Sequence, residues 1–331
     1  MLKRVTISVG CCDYDRTRAV LDGRVPIEGC EVVPIPVEPE EAFHRAFRFA
    51  EFDVAELSLS SHTLLTSRGE NQYVGVPAFV SRLFRHSGIY IRTDRGIRTA
   101  ADLAGKTIGV PEYQITANTW IRGILKDDFG FEPKSARWRR GGLEEAGRGE
   151  RTPLRLPPGI ELEQVAAGKT LSGMLEAGEI DALISARAPS CLLRGARNVA
   201  RLFPDYRKAE EDYFKRTGIF PIMHIIGIRK TLVEQHPWLP ASVMKAFIKA
   251  KDVAMYELGQ IGHLFTSHPW GVSEFDAARR LMGDDYWSYG FEPNRSVLAT
   301  FTRYHHDQGL SSRLVEPEEL FAPAAMDLTK I

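Results

Sequence analysis

The sequence predicts an α/β protein built from two mostly parallel sheets, each flanked by helices, and three observations lead there. Strand and helix patterns alternate through the first 90 residues, the alternation restarts at Thr99, and 331 residues are too many for one core. Val5, Ile7 and Val9 repeat with period 2 and form a first strand that ends at "GCCDYD". A helix follows from about Arg16, then the strand "CEVVPIPV" and a helix over "PEEAFHRAFRFA", where Phe43, Ala46, Phe47 and Ala50 share one face. The strand "DVAELSLS", a short helix after Ser60 and the strand "YVGVPAFV" complete a β-α-β-α-β order, which implies parallel strands joined by helical crossovers.

The second half repeats the logic. Asp102 lies in a turn of helix, "KTIGV" is a strand, and "TANTWIRGILKDDFG" is a helix with Ala117, Trp120, Ile121 and Ile124 on one side. "LSGMLEAGEIDALISAR" gives a helix closed by Gly178 and then a strand. Residues 137–159 break the pattern with Gly, Pro and mixed charge and read as a solvated loop, with no interleaved aromatics to stack on bases. Beyond Thr231 a long amphipathic helix is entered through Pro237 and Pro240. The tail from Ser273 is mainly helical, with a break at "DDYWSYGFEPN" and His305-His306 on a helix surface.

Composition narrows the function classes. With 43 basic and 43 acidic residues, no global field favours nucleic acid or an anionic membrane. No run approaches the ~18 apolar residues of a membrane span, and the start "MLKRVTISVG" lacks the apolar block of a secretory signal, so a cytoplasmic protein is expected. Four cysteines, two of them adjacent, do not make a disulfide framework.

Four blocks carry a resemblance. "DLAGKTIGVPEYQ" is similar to the second lobe of the type II periplasmic-binding-protein fold. "FRHSGIYIR", "GVPEYQITANTWIRGIL", "ISARAPS" and "TGIFPIMHIIGIRK", in that order along nearly the whole chain, together resemble the 4,5-dihydroxyphthalate decarboxylase family. The resemblance implies two α/β lobes, residues 1–90 with 222–331 and residues 91–221, joined by two hinge crossings at "GIYIRTD" and "MHIIGIR", with a ligand clamped between them. It implies a carboxy-lyase that converts an ortho-dihydroxylated aromatic diacid to protocatechuate and CO2. Rivals are a solute-binding protein for an aromatic acid, another aromatic-acid enzyme on the same scaffold, and a sensing domain, though no helix-turn-helix segment is attached.

Polar residues collect where strands end, the usual ligand edge of an open α/β sheet. His86 and His224 are the candidates for the acid that protonates the ring and the base that polarises the phenol, in either order, with Glu56 as a second base. Arg85 and Arg187 suit a bidentate carboxylate clamp; Arg82 and Arg140 fit surface ion pairs as well. Ser58, Gln114 and Ser185 would orient the remaining oxygens, with Tyr113 beside them. Thr116 reads equally as a helix cap or a ligand contact at a helix N-terminus. Trp120 suits a core position or a ring-stacking one. A divalent metal held by His86, His224, Glu56 and Asp13 stays open, without the spacing of a known motif; no cofactor is expected. The expected partner is the small aromatic diacid itself, and homo-oligomerisation stays open.

Overall fold

The computed structural model describes residues 4–150, 152–326 and 328. Arg151 of the predicted loop and the two chain ends lie outside them. The chain divides into two compact units: Met1–Arg82 with Ile222–Thr300 and Val315–Ile331, and Leu83–Pro221 with Phe301–Leu314.

The first unit opens with β1 (Val5–Cys11), α1 (Asp15–Leu21), β2 (Cys30–Pro36), α2 (Pro39–Phe49), β3 (Val54–Ser58), α3 (Leu59–Arg68) and β4 (Tyr73–Arg82). The period-2 reading of β1 holds: Ile7 and Val9 are fully buried between the flanking layers. In α2 the buried face is Ala42 and Ala46, while Ala50 does not continue the stripe; it closes the helix in the left-handed region at φ 47°.

The second unit contains β5 (Ile89–Arg92), β6 (Thr107–Val110), α4 (Thr116–Phe129), β7 (Arg137–Arg140), β8 (Glu161–Gln164), α5 (Leu171–Ala177), β9 (Ala182–Ile184), α6 (Ser190–Leu193), β10 (Val199–Arg201) and α7 (Tyr206–Thr217). Asp102 lies in a 3-10 turn, Ala100–Leu103, as the sequence indicates. Arg137–Arg140, expected in a solvated loop, is instead a strand paired in parallel with β6 and β8, with Trp138 fully buried. The buried core gathers Ile89, Ile108, Val110, Ile121, Leu125, Trp138 and Ile184.

The chain returns through β11 (Ile222–Arg229), α8 (Lys230–Gln235), α9 (Leu239–Leu258), α10 (Gly271–Met282), α11 (Arg295–Asp307) and α12 (Pro323–Met326). The long helix expected beyond Thr231 is two: α8 stops at His236 and α9 begins just before Pro240, because a proline is tolerated only in a helix's first turn. His305 is not on a surface; it is fully buried, and only His306 is exposed.

The five-stranded sheet of the first unit runs β2-β1-β3-β11-β4, and the six-stranded sheet of the second runs β10-β5-β9-β6-β7-β8. Pairing is antiparallel only around β11 in the first and β5 in the second, so each sheet is parallel apart from one reversed strand. The two segments expected as crossings are sheet strands within a unit: "GIYIRTD" holds β5 of the second and "MHIIGIR" lies in β11 of the first. No helix of the described residues is long and apolar enough to cross a membrane.

Candidate active site

In the first unit the chemistry converges on Glu56. Its strand, β3, lies between β1 and β11, so the side chain is fully buried. Ser58 faces His224 across the β3–β11 ladder and Glu56 faces Ile226, which makes Glu56 and His224 a diagonal pair on one face. The β11–β4 register shifts on both sides of His224, the kind of irregularity that re-aims a side chain. His224 Nδ1 lies 2.6 Å from Glu56 Oε1, Tyr14 donates its hydroxyl to the same oxygen at 2.9 Å, and the Cys12 amide donates to Oε2 at 2.9 Å. Three donors thus offset the cost of removing this carboxylate from water.

Local sequence builds the rest of that cluster. Thr17, fully buried, accepts from the Tyr14 amide at 2.9 Å and donates to the Cys12 carbonyl at 2.6 Å, locking the turn that aims Tyr14 at Glu56. Phe43 sets its ring edge-on to His224, with centroids 4.8 Å apart. The carboxylate fixes His224 as the Nδ1–H tautomer, and Nε2 makes no hydrogen bond among the described residues. At 17% exposure, the imidazole keeps a route to a ligand. Tyr14 is pushed well above the ordinary phenol range by burial and by Glu56, so it stays a donor. The Cys12 thiol is raised by burial and by Glu56 and Glu38, which disfavours a thiolate nucleophile.

Of the other residues singled out in this unit, Ser58 caps α3 weakly, accepting from the Ser61 amide at 3.5 Å. Arg82 is 4% exposed and donates to the Ser288 carbonyl at 2.7 Å and to Asn294 Oδ1, so it pins the tail segment rather than forming a surface ion pair. Asp13 pairs with Arg18 at 3.0 Å in the open. Among the described residues no three His, Cys, Asp or Glu side chains form a metal-binding group.

The second unit holds the remaining candidates. Arg85 and His86 precede β5 and, with Ile89, Ile121, Ile124, Leu125 and Phe203, line a narrow apolar depression. His86 is 3% exposed, packed 5.4 Å from Phe203 and 5.3 Å from Tyr213, and its Nδ1 has no partner. Burial lowers its pKa to about 4, so the ring is neutral near pH 7. Burial also lowers Arg85 to about 10. Glu210, which accepts from the Ser87 amide at 3.4 Å, is raised by burial to about 7.

Ser185 and Arg187 stand at the end of β9. A Cβ on Gly88 would come within 2.9 Å of the Ser185 carbonyl, so the glycine lets these two segments meet. Ser185 is buried and its hydroxyl accepts from the Arg187 amide at 3.2 Å, whereas the Arg187 side chain is exposed. Trp120 belongs to the core, fully buried with Phe301 and Tyr304 rings at 5.3 and 5.7 Å. Thr116 is buried as the first residue of α4; the cap position falls on Ile115.

The head of α4 was expected to offer amides to a ligand carboxylate, and there the chain supplies its own. Glu150 accepts from the Tyr113 amide, with a contribution from that of Gln114, while its second oxygen is buried without a partner. Burial, with Glu112 nearby, raises it to about 7. Arg148 pairs with the buried Glu112 at 2.6 Å. Tyr113 and Gln114 are buried, and Tyr113 lies under Arg122 at 3.7 Å. Glu150 escapes a reading of the residues alone, because a mid-loop glutamate carries no periodic signal. Tyr14 had one: it stands at the end of β1.

A protein of Comamonas testosteroni described as 4,5-dihydroxyphthalate decarboxylase is 46% identical over 330 residues, covering 100% of both chains. A second of that description, from Pseudomonas putida, is 46% identical over 215 residues, 65% of this chain and 83% of that one. Among solved structures, the periplasmic aliphatic sulphonate binding protein SsuA from Escherichia coli shares 11% identity at a TM-score of 0.52, covering 98% of this chain and 99% of its own. A sulfonate-binding SsuA from Methylobacillus flagellatus shares 13% at a TM-score of 0.50, covering 98% and 93%. No protein-family model matches the chain. The two-sheet scaffold is therefore that of the periplasmic binding proteins, and by full-length identity the chain belongs to the 4,5-dihydroxyphthalate decarboxylase family.

Proposed function

We propose that the chain decarboxylates 4,5-dihydroxyphthalate to protocatechuate and CO2. The observation that carries this reading is the full-length identity with a relative of that name; the Glu56–His224 pair supplies the acid such a reaction needs. In this substrate each carboxylate has a hydroxyl para to it. Polarising that phenol pushes electron density onto the ring carbon bearing the leaving group. His224 Nε2–H protonates that carbon, the C–CO2⁻ bond breaks, its electron pair restores the aromatic ring, and CO2 leaves. The imidazole regains its proton from solvent, so each turnover consumes one proton. Glu56 acts through His224 by holding its tautomer and stabilising its charged form.

We place the acid role on His224 alone, because His86 is almost sealed from solvent and neutral. CO2 leaves uncharged, so a cation bound tightly to the departing carboxylate stabilises the substrate more than the transition state. Incubating the purified protein with 4,5-dihydroxyphthalate should release CO2 and the monoacid in equal amounts, with one deuterium on the vacated carbon in heavy water. Absence of both products overturns the reading in favour of a solute-binding protein. His224→Asn should lower kcat by about 10²–10⁴-fold with little change in KM; an unchanged kcat removes His224 from the chemistry.

A further inference from the structure

Arg16 is a cation held in place by four contacts, and none of the roles above uses it. Its guanidinium lies between two rings, 4.2 Å from the Tyr14 centroid and 4.3 Å from that of Trp287. Nε donates to the Val80 carbonyl at 2.6 Å and Nη1 to Asp15 at 2.9 Å. Nη2 makes no hydrogen bond among the described residues and is not sealed from solvent. The side chain is 14% exposed. Trp287 is itself fixed, its indole N–H donating to the Phe79 carbonyl at 2.9 Å. A flexible surface arginine would need to lose its rotamer freedom on binding; this one has already lost it.

Its position gives the rigidity a purpose. Tyr14 presents one ring face to Arg16 while its hydroxyl bonds Glu56, so the cation and the carboxylate–imidazole pair share one aromatic wall at the end of β1. That is the ligand edge of an open α/β sheet. We infer that Arg16 binds an aromatic carboxylate through Nη2, and that it holds the group retained in the product. This rests on the decarboxylase reading above. The choice of the retained group follows from the same transition-state argument: a fixed guanidinium on the departing carboxylate would oppose its loss as neutral CO2. Asp15, on the other edge of the guanidinium, tempers its affinity and so aids product release.

The test measures dissociation constants by calorimetry for three ligands that the proposed reaction does not consume: phthalate, which lacks the para hydroxyl, 3,4-dihydroxybenzoate and uncharged catechol. Arg16→Gln should weaken both acids by about tenfold or more and leave catechol unchanged, since a charge-assisted hydrogen bond is lost only where a carboxylate is present. Equal loss for all three ligands, or no loss for the acids, overturns the inference. Loss confined to the diacid moves Arg16 to the leaving group and overturns the assignment. Should Arg16→Gln fail to fold, Asp15→Asn decides: removing that competing charge should tighten both acids by about threefold, with catechol unaffected, and no change overturns the proposal. A wild-type protein that binds the acids but forms no product from 4,5-dihydroxyphthalate defeats the decarboxylase reading instead, which keeps the two failures apart.

Discussion

Glu56 in the first unit and Glu150 in the second are both carboxylates taken largely out of water, and their surroundings differ. Glu56 receives an amide, a phenol and an imidazole, which between them serve both oxygens. Glu150 receives amides on one oxygen, leaves the other buried without a partner, and is pushed to about 7. The two histidines divide the same way. His224 is anchored by a carboxylate and keeps an open nitrogen, whereas His86 sits among aromatic rings at about 4. Burial alone therefore does not mark a catalytic group. A buried ionisable residue is equipped for proton transfer when its partners stabilise the charged form and one atom stays accessible.

The sharpest way to break this contrast is Glu56→Gln. The amide keeps the shape and can accept from Tyr14, but it no longer stabilises an imidazolium at His224. The expected loss is at least about 100-fold in kcat with KM within a few-fold, measured on 4,5-dihydroxyphthalate. Equal activity would mean that the pair is only a structural clasp.

His86→Phe probes the other side through stability. His86 is held at about 4 against an ordinary 6.5, so between those values the unfolded chain binds a proton that the folded chain refuses. Stability present above pH 6.5 is lost as the pH falls toward 4, by up to about 3 kcal/mol at ~1.4 kcal/mol per unit. Phenylalanine fills the same aromatic slot and cannot titrate. Denaturant melts of the variant should lose part of this acid slope, and kcat should stay within about threefold. His62, lowered to about 4 by its own burial, keeps the rest of the slope. A fall in kcat of about 100-fold would return His86 to the chemistry.

The fold was largely legible because its signals are local. Ile7 and Val9 alternate into the core, and Ala117, Trp120, Ile121 and Ile124 stack along one face of α4, all at 3% exposure or less. Glu56 and His224 could each be singled out at a strand, but their pairing depends on register between segments 168 residues apart. Misreadings fell where tertiary context overrides composition. The charged run Arg137–Arg140 is a strand because its neighbours on both sides pair with it and Trp138 needs burial. His305 is buried because a helix near a chain end still has a core-facing side. Arg82 became a tail clamp because Ser288 and Asn294, more than 200 residues away, arrive at its guanidinium.

Glu150→Gln is the gentlest probe of the contrast and the one that isolates the incomplete carboxylate. A carboxyl raised from 4.5 to about 7 keeps its proton in the folded chain across that window, so its contribution is present at low pH and lost as the pH rises through 7. Glutamine still accepts from the Tyr113 and Gln114 amides through its carbonyl oxygen, and it never ionises. The variant should match wild type near pH 5 and melt about 2 °C higher near pH 8.5, where the wild-type carboxylate is charged with one oxygen unpartnered. Glu210, also held at about 7, is untouched and gives both proteins the same background alkaline slope. A melting difference of the same size at both pH values would show that the exchange acts through packing, and that Glu150 is as well compensated as Glu56.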